Sequence, residues 1–217
     1  IFLDMIKKFN SDKKYDIDQI KWWSQWIVRA KGQMLEEDFA LMKQSNVNEL
    51  DIGLESFSES VRWHMGKKFT DDDLWWNLEM MHKYRIHYTL LMITGYPTET
   101  PEDHQNTLAS IQRMADLGYL TPSSNRTSTA YLSFGNTMMI QPDYKIYKML
   151  KDDPLWRDGV GHNDWSYGDN TIELRLSRHL EIHKLVEQVS GLKSSWLQDK
   201  HIRALEKEMR SHNRVEV

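Results

Sequence analysis

Four short apolar runs, separated by stretches with helical spacing, constrain the fold of this chain more than any other feature. "QWIVRA" (25–30), "ELDIGLES" (49–56), "HYTLLMIT" (87–94) and "TSTAYLSF" (127–134) read as strands. "MLEEDFALMKQSN" (34–46), with apolar residues at Leu35, Phe39 and Met42, "FTDDDLWWNLEMMHKYR" (69–85) and "TPEDHQNTLASIQRMADLG" (100–118) read as the helices between them. Strand, helix, strand at this spacing argues for βαβ units and a parallel sheet. The strands look mostly continuous in their apolar character, as expected of strands covered on both faces.

The helix starts are marked by their chemistry. Thr70 precedes three acids, which suit the positive end of a helix dipole. Thr100 is placed as an N-cap, Pro101 takes the first helical position and Asp103 stands three residues after the cap. Gly118 suits the far end of that helix. Past residue 135 the pattern changes. "GNTMMIQPDYKIYKML" predicts an irregular turn and a short helix, and 155–170 predicts a loop. A helix is expected over 171–191, ending at Gly191, and a charged one over 195–213. The division expected is a barrel-like part over 1–150 and a helical extension over 151–217.

Composition narrows the function. A chain of 217 residues, 40% hydrophobic and 28% charged, can bury a sizeable core. The net charge of −4, without a basic stripe, gives no electrostatic support for a nucleic-acid surface. No apolar run reaches the length of a membrane span and no signal-peptide pattern is visible, so the cytoplasm is the expected compartment. There is no Cys, which excludes disulfides, thiolate nucleophiles and Cys-held metal within these residues. His179 and His183 have the i, i+4 spacing of a chelating pair but lack an obvious third ligand. They read as surface or half-buried residues of an amphipathic helix, and no metal site is expected. The start "IFLDMI" falls in mid-pattern, so the expectation is a piece of something longer.

Parallel α/β folds place their sites at the carboxyl ends of the strands. The residues there are Arg29 after the first strand, Glu55 and Ser56 after the second, Gly95 to Glu99 after the third, and Ser133 near the end of the fourth. Each has a structural alternative. Arg29 could pair with an acid, Glu55 could cap the next helix, and Glu99 could sit near its helix for dipole reasons.

The ordered motifs decide between these. "ELDIGLESFSESVRWHMGKKFTDDD" is followed, some thirty residues after its Glu-Ser, by "LLMITGYPTETPEDHQNTL". The pair resembles the middle of radical SAM enzymes of the type often fused to an N-terminal cobalamin-binding domain. Gly53 to Ser56, Met65 to Lys67 with Thr70, and Gly95 to Thr100 carry the likeness over roughly residues 20–150. The resemblance implies a partial (β/α) TIM-type barrel with parallel strands, truncated at its N-terminus and followed by a mainly helical tail. It implies S-adenosylmethionine and a [4Fe–4S] cluster as cofactors and leaves cobalamin open. The family's Cys-x3-Cys-x2-Cys loop and its glycine-glycine-glutamate segment are not in this chain. The missing half of the barrel, or a complementing chain, is therefore the expected partner, beside a small-molecule substrate that the residues do not identify. By the same resemblance Arg29, Glu55, Ser56, Ile93, Gly95, Tyr96 and Glu99 are cofactor-site residues. Ile93 packs near adenine, Gly95 allows a close approach of backbone, Glu99 shapes its turn, and Glu55 is the acid suited to a ribose. A non-catalytic module that docks on a cluster-bearing chain is the competing reading.

Overall fold

The second strand shows how this sequence makes its sheet. In β2 (Val47–Glu55), Leu50, Ile52 and Leu54 are fully buried, while Glu49, Asp51, Gly53 and Glu55 are half-buried. Side chains alternate across a strand. One face of β2 is thus apolar core and the other is polar and open. In a computed structural model, residues 21–120, 130–159 and 165–191 are described, with Met5, Lys8 and Asp12 besides. β1 (Trp22–Trp26), β2, β3 (Tyr88–Thr94) and β4 (Ala130–Thr137) form a four-stranded sheet in that order. β1 pairs in parallel with β2, and β2 with β3. The expectation of strands covered on both faces is corrected by this alternation, which β3 shares: Tyr88, Leu90 and Met92 are buried, and Thr89 and Leu91 only half so.

The helices between the strands are α1 (Glu36–Gln44), α2 (Glu59–His64), α3 (Asp71–Lys83) and α4 (Pro101–Asp116). α3 begins as its sequence predicts. The Thr70 hydroxyl accepts from the Asp73 backbone N–H, and the Asp73 carboxylate accepts from that of Thr70. Thr100 and Asp103 repeat this reciprocal cap at α4. Gly118 takes the left-handed φ of +74° after α4. The short α2 was not expected from its spacing. It forms because Ser58 caps it, accepting from Val61 N–H.

The first strand lies earlier than 25–30. Trp22, Ser24 and Trp26 alternate with the exposed Trp23 and Gln25, and the Trp22 indole donates to the Ser45 carbonyl at 2.9 Å, fixing where pairing starts. Ile27 is 67% exposed and lies past the strand. β4 begins at Ala130, and residues 127–129 lie outside those described.

The chain divides into two compact units, one of residues 1–92 and 114–133, the other of 93–113 and 134–217. In the second, α5 (Lys145–Leu150) leads to β5 (Trp156–Arg157) and β6 (Ser166–Tyr167), an antiparallel pair where the sequence predicts only loop. The Trp156 and Trp165 rings stack at 5.7 Å over a small core with Ile140 and Leu150, and the Trp165 indole donates to Met138 O. α6 (Ile172–Ser190) is capped by Thr171 and stopped by Gly191 at φ +65°, as its sequence signals. The helix expected over 195–213 lies outside the described residues.

Candidate functional site

The sequence candidates fall in both units, and each group is described within its own. In the first, Glu55 ends β2 with φ +69°, a left-handed conformation that side chains rarely adopt. It stands at an irregularity of the ladder: Gly53 pairs with Leu91 and Glu55 with Met92, so β2 carries one extra residue. Such bulges re-aim a side chain, and the unusual φ costs about 1–3 kcal/mol that the surroundings must hold in place. Here the holding group is Lys67. Its ammonium lies 3.2 Å from Glu55 Oε1 and donates to the Gly53 carbonyl. A Cβ on Gly53 would come within 3.0 Å of that carboxylate oxygen and 3.2 Å of Lys67 Nζ, so glycine makes room for the pair. Both side chains keep some exposure, 24% for Glu55 and 32% for Lys67. The result is an oriented, partly open carboxylate, a good acceptor for paired hydroxyls.

The residues after Glu55 are tied into the fold. Ser56 is buried, and its hydroxyl accepts from Ser58 N–H, starting the turn. Ser58 caps α2, so Glu55 does not. Arg62, fully buried, donates to the carbonyls of Ser56 and Phe57, pairs with Asp71 and lies 4.9 Å under the Phe69 ring. Arg29 follows β1 on the surface. Its backbone is held by Asn77, whose amide donates to Arg29 O at 2.8 Å, and it lines a cleft of about 500 Å³ with Trp22, Trp26, Met34 and Met42.

In the second unit the turn after β3 is gripped from α6 and from Asn170, two residues before it. Glu99 Oε2 accepts the Gly95 N–H at 3.1 Å, closing the turn on itself. Arg178 reaches Glu99 Oε1 at 2.8 Å and Glu99 O at 3.1 Å, with the two side chains only 5% and 7% exposed. Burial pushes the Glu99 carboxyl above its ordinary range, against the pull of Arg178 and of the Gly95 amide. Asn170 donates to Tyr96 O at 2.8 Å and to Pro97 O at 3.2 Å. Gly95 has φ +78°, and a Cβ there would meet the Arg175 stem at 2.3 Å. Within this unit Arg175 thus occupies the space over Gly95. Arg175 is fastened in turn to Asn170 O and Trp165 O and stacks 3.7 Å over the Trp165 ring. Ile93 is half-buried and Tyr96 is buried, its hydroxyl pushed up by that burial.

His179 and His183 are neither the surface nor the half-buried residues expected: they are buried, 1% and 7% exposed. Their Nε2 atoms lie 3.1 Å apart, and His179 Nδ1 meets Thr94 Oγ1 at 3.1 Å. Burial, with the neighbouring ring acting on His179, lowers both pKa values to about 4. Among the described residues no three His, Asp or Glu side chains gather to hold a metal ion.

Sequence reasoning named Glu55, Gly95 and Glu99 but missed Lys67, Asn170, Arg175 and Arg178 as their holders. A signal existed. Ile172, Arg175, Leu176, His179, Ile182 and His183 recur at one helical face, so two polar types sit in the buried stripe of α6. Charged groups so placed imply buried partners.

Residues 8–111 match the family profile described as the Radical SAM superfamily. No curated protein matches the chain. Its fold is similar to that of several solved structures, two of which follow. Coproporphyrinogen III oxidase (HemN) from Escherichia coli, a radical SAM enzyme, is 15% identical with a TM-score of 0.56, over 87% of this chain and 36% of that one. The radical S-adenosylmethionine methyltransferase TsrM from Kitasatospora setae, with cobalamin and a [4Fe-4S] cluster bound, is 13% identical with a TM-score of 0.50, over 73% of this chain and 29% of that one. The chain thus spans about a third of the length of the solved structures it matches.

Proposed function

We propose, from the match of residues 8–111 to the Radical SAM superfamily profile, that the chain forms the S-adenosylmethionine-contacting wall and the substrate side of a radical SAM barrel. The chemistry served is radical or cobalamin-assisted methyl transfer. The observation that carries the reading is Glu55: a strained, bulge-mounted carboxylate at a parallel strand's end, aimed by Lys67 and given space by Gly53. Its two oxygens suit the two hydroxyls of a ribose. Ile93 and the turn from Gly95 to Glu99 give the adenine an apolar edge with a fixed backbone, and Tyr96 belongs to that turn. Ser56 acts by shaping the loop after Glu55, and Arg29 adds an exposed cation after β1.

S-adenosylmethionine supplies the radical or methyl-transfer chemistry when bound. The iron–sulfur cluster does not fit these residues: such clusters need thiolates, and the sequence has no Cys. The cluster ligands belong to a further part of the protein or to a complementing chain. β1 is one edge of the described sheet, with Trp23 57% and Ile27 67% exposed at or beside it, and it offers a place for added strands. No described helix is long and apolar enough to cross a membrane. We place the enzyme in the cytoplasm. The test is photolabelling of the cluster-loaded enzyme with an azido derivative of S-adenosylmethionine. Label is expected in the peptides around Gly53–Ser56 and Leu91–Glu99, and label confined to other peptides contradicts the reading.

A further inference from the structure

The turn from Gly95 to Glu99 does not hold its shape by its own bonds alone. Within the turn the Glu99 N–H donates to the Tyr96 carbonyl at 2.8 Å, and the Gly95 N–H donates to the carboxylate of Glu99 at 3.1 Å. That carboxylate is aimed by Arg178, seventy-nine residues away in sequence, which also takes the Glu99 carbonyl. The other side of the turn is fixed by Asn170 on the carbonyls of Tyr96 and Pro97. The space over Gly95 is filled by Arg175. Three side chains from one short stretch thus fix four points of the turn: Gly95, Tyr96, Pro97 and Glu99.

We infer that Arg178 is a positioning residue for cofactor binding, acting through Glu99 on the Gly95–Glu99 turn, and that α6 is a built part of the cofactor wall. This deepens the reading proposed above and rests on it. The chemistry is that of a buried, charge-assisted contact in which one guanidinium nitrogen, Nη1, donates to both the carboxylate and the carbonyl of Glu99. A guanidinium presents its donors in a rigid fork, so it fixes direction as well as charge. A lysine would supply the charge on a shorter stem, without the planar group that sets the direction of both bonds. Glu99 then has both its oxygens committed, one to Arg178 and one to Gly95 N–H, and the backbone between them is left with little freedom.

A purely structural ion pair has a different signature. Breaking a buried pair strands a charge, while replacing both partners is often neutral. Arg178→Met alone therefore lowers stability on either account and leaves some preparations unfolded. The deciding variant is Arg178→Met with Glu99→Gln, which removes both charges. Three measurements are made on it: melting temperature, amide hydrogen exchange across residues 95–100 of this chain, and affinity for S-adenosylmethionine in the cluster-loaded enzyme by equilibrium dialysis. A positioning role predicts a melting temperature near wild type, exchange at Gly95 faster by tenfold or more, and affinity weaker by tenfold or more. Arg178→Lys is expected to recover stability better than affinity. If the double variant returns exchange and affinity to wild-type values along with stability, the inference is overturned. Glu55→Gln, measured beside it, separates the two proposals: loss of affinity there with none in the double variant overturns this inference alone, and no loss in either overturns both.

Discussion

Arg175 stands where the side chain of residue 95 would be. A Cβ built on Gly95 falls 2.3 Å from both Cγ and Cδ of Arg175, whose guanidinium is buried and stacked on Trp165. Gly95→Ala must therefore move a fastened arginine and adopt φ +78° at once. We expect a loss of about 2–4 kcal/mol, combining overpacking with a left-handed alanine. Thermal unfolding checks it, and a melting temperature within two or three degrees of wild type would show that the arginine yields freely.

Arg62 anchors the loop after β2 by donating to two carbonyls and to Asp71 from a fully buried position. Arg62→Ala leaves those acceptors unpaired, and we expect about 2–4 kcal/mol of destabilisation, since Asp71 is itself half-exposed. Urea unfolding measures this directly. A change below about 1 kcal/mol would mean that the carbonyls find other donors.

Much of this was legible before the structure. Reciprocal caps at Thr70 and Thr100 and the stop at Gly191 are local chemistry, and local chemistry is written in adjacent residues. The strand ending at Thr94 was legible because its apolar run is long. β1 was misplaced because Ile27 and Val28 look more strand-like than Trp-Trp-Ser-Gln-Trp, and only the bond from Trp22 to Ser45 shows where pairing begins. The clamp on the Gly95 turn joins residues more than seventy positions apart, and no local pattern announces such a pair. The buried charges of α6 were the one available hint.

The histidine pair gives a pH dependence of known sign. His179 and His183 titrate near 4 in the fold, below the ordinary value of 6.5, so the unfolded chain binds more protons between these limits. Thr94 and the Phe134 ring face the pair, and neither supplies a counter-charge. Stability is complete above about pH 6.5 and falls as the pH drops toward 4. The melting temperature should drop by several degrees between pH 7 and pH 5, more than in a variant carrying Gln at both positions. Parallel pH profiles of the two proteins would remove the histidines as the cause.

Iron loading provides a separate check. With no thiolate in the sequence, this chain treated anaerobically with iron and sulfide should retain near-zero stoichiometry of either. A stable brown species with an iron–sulfur EPR signal would contradict the assignment of the cluster to other residues.

The most direct test concerns Glu55. Glu55→Gln keeps the shape of the side chain and removes its charge. A charged hydrogen bond contributes roughly 1.5–3 kcal/mol, about ten- to a hundredfold in affinity. The half-exposed pair with Lys67 contributes at most about 1 kcal/mol to folding. In the cluster-loaded enzyme the substitution should weaken S-adenosylmethionine binding by about ten- to a hundredfold while the melting temperature barely moves. Affinity within about twofold of wild type, or a large fall in melting temperature with unchanged affinity, would contradict the account.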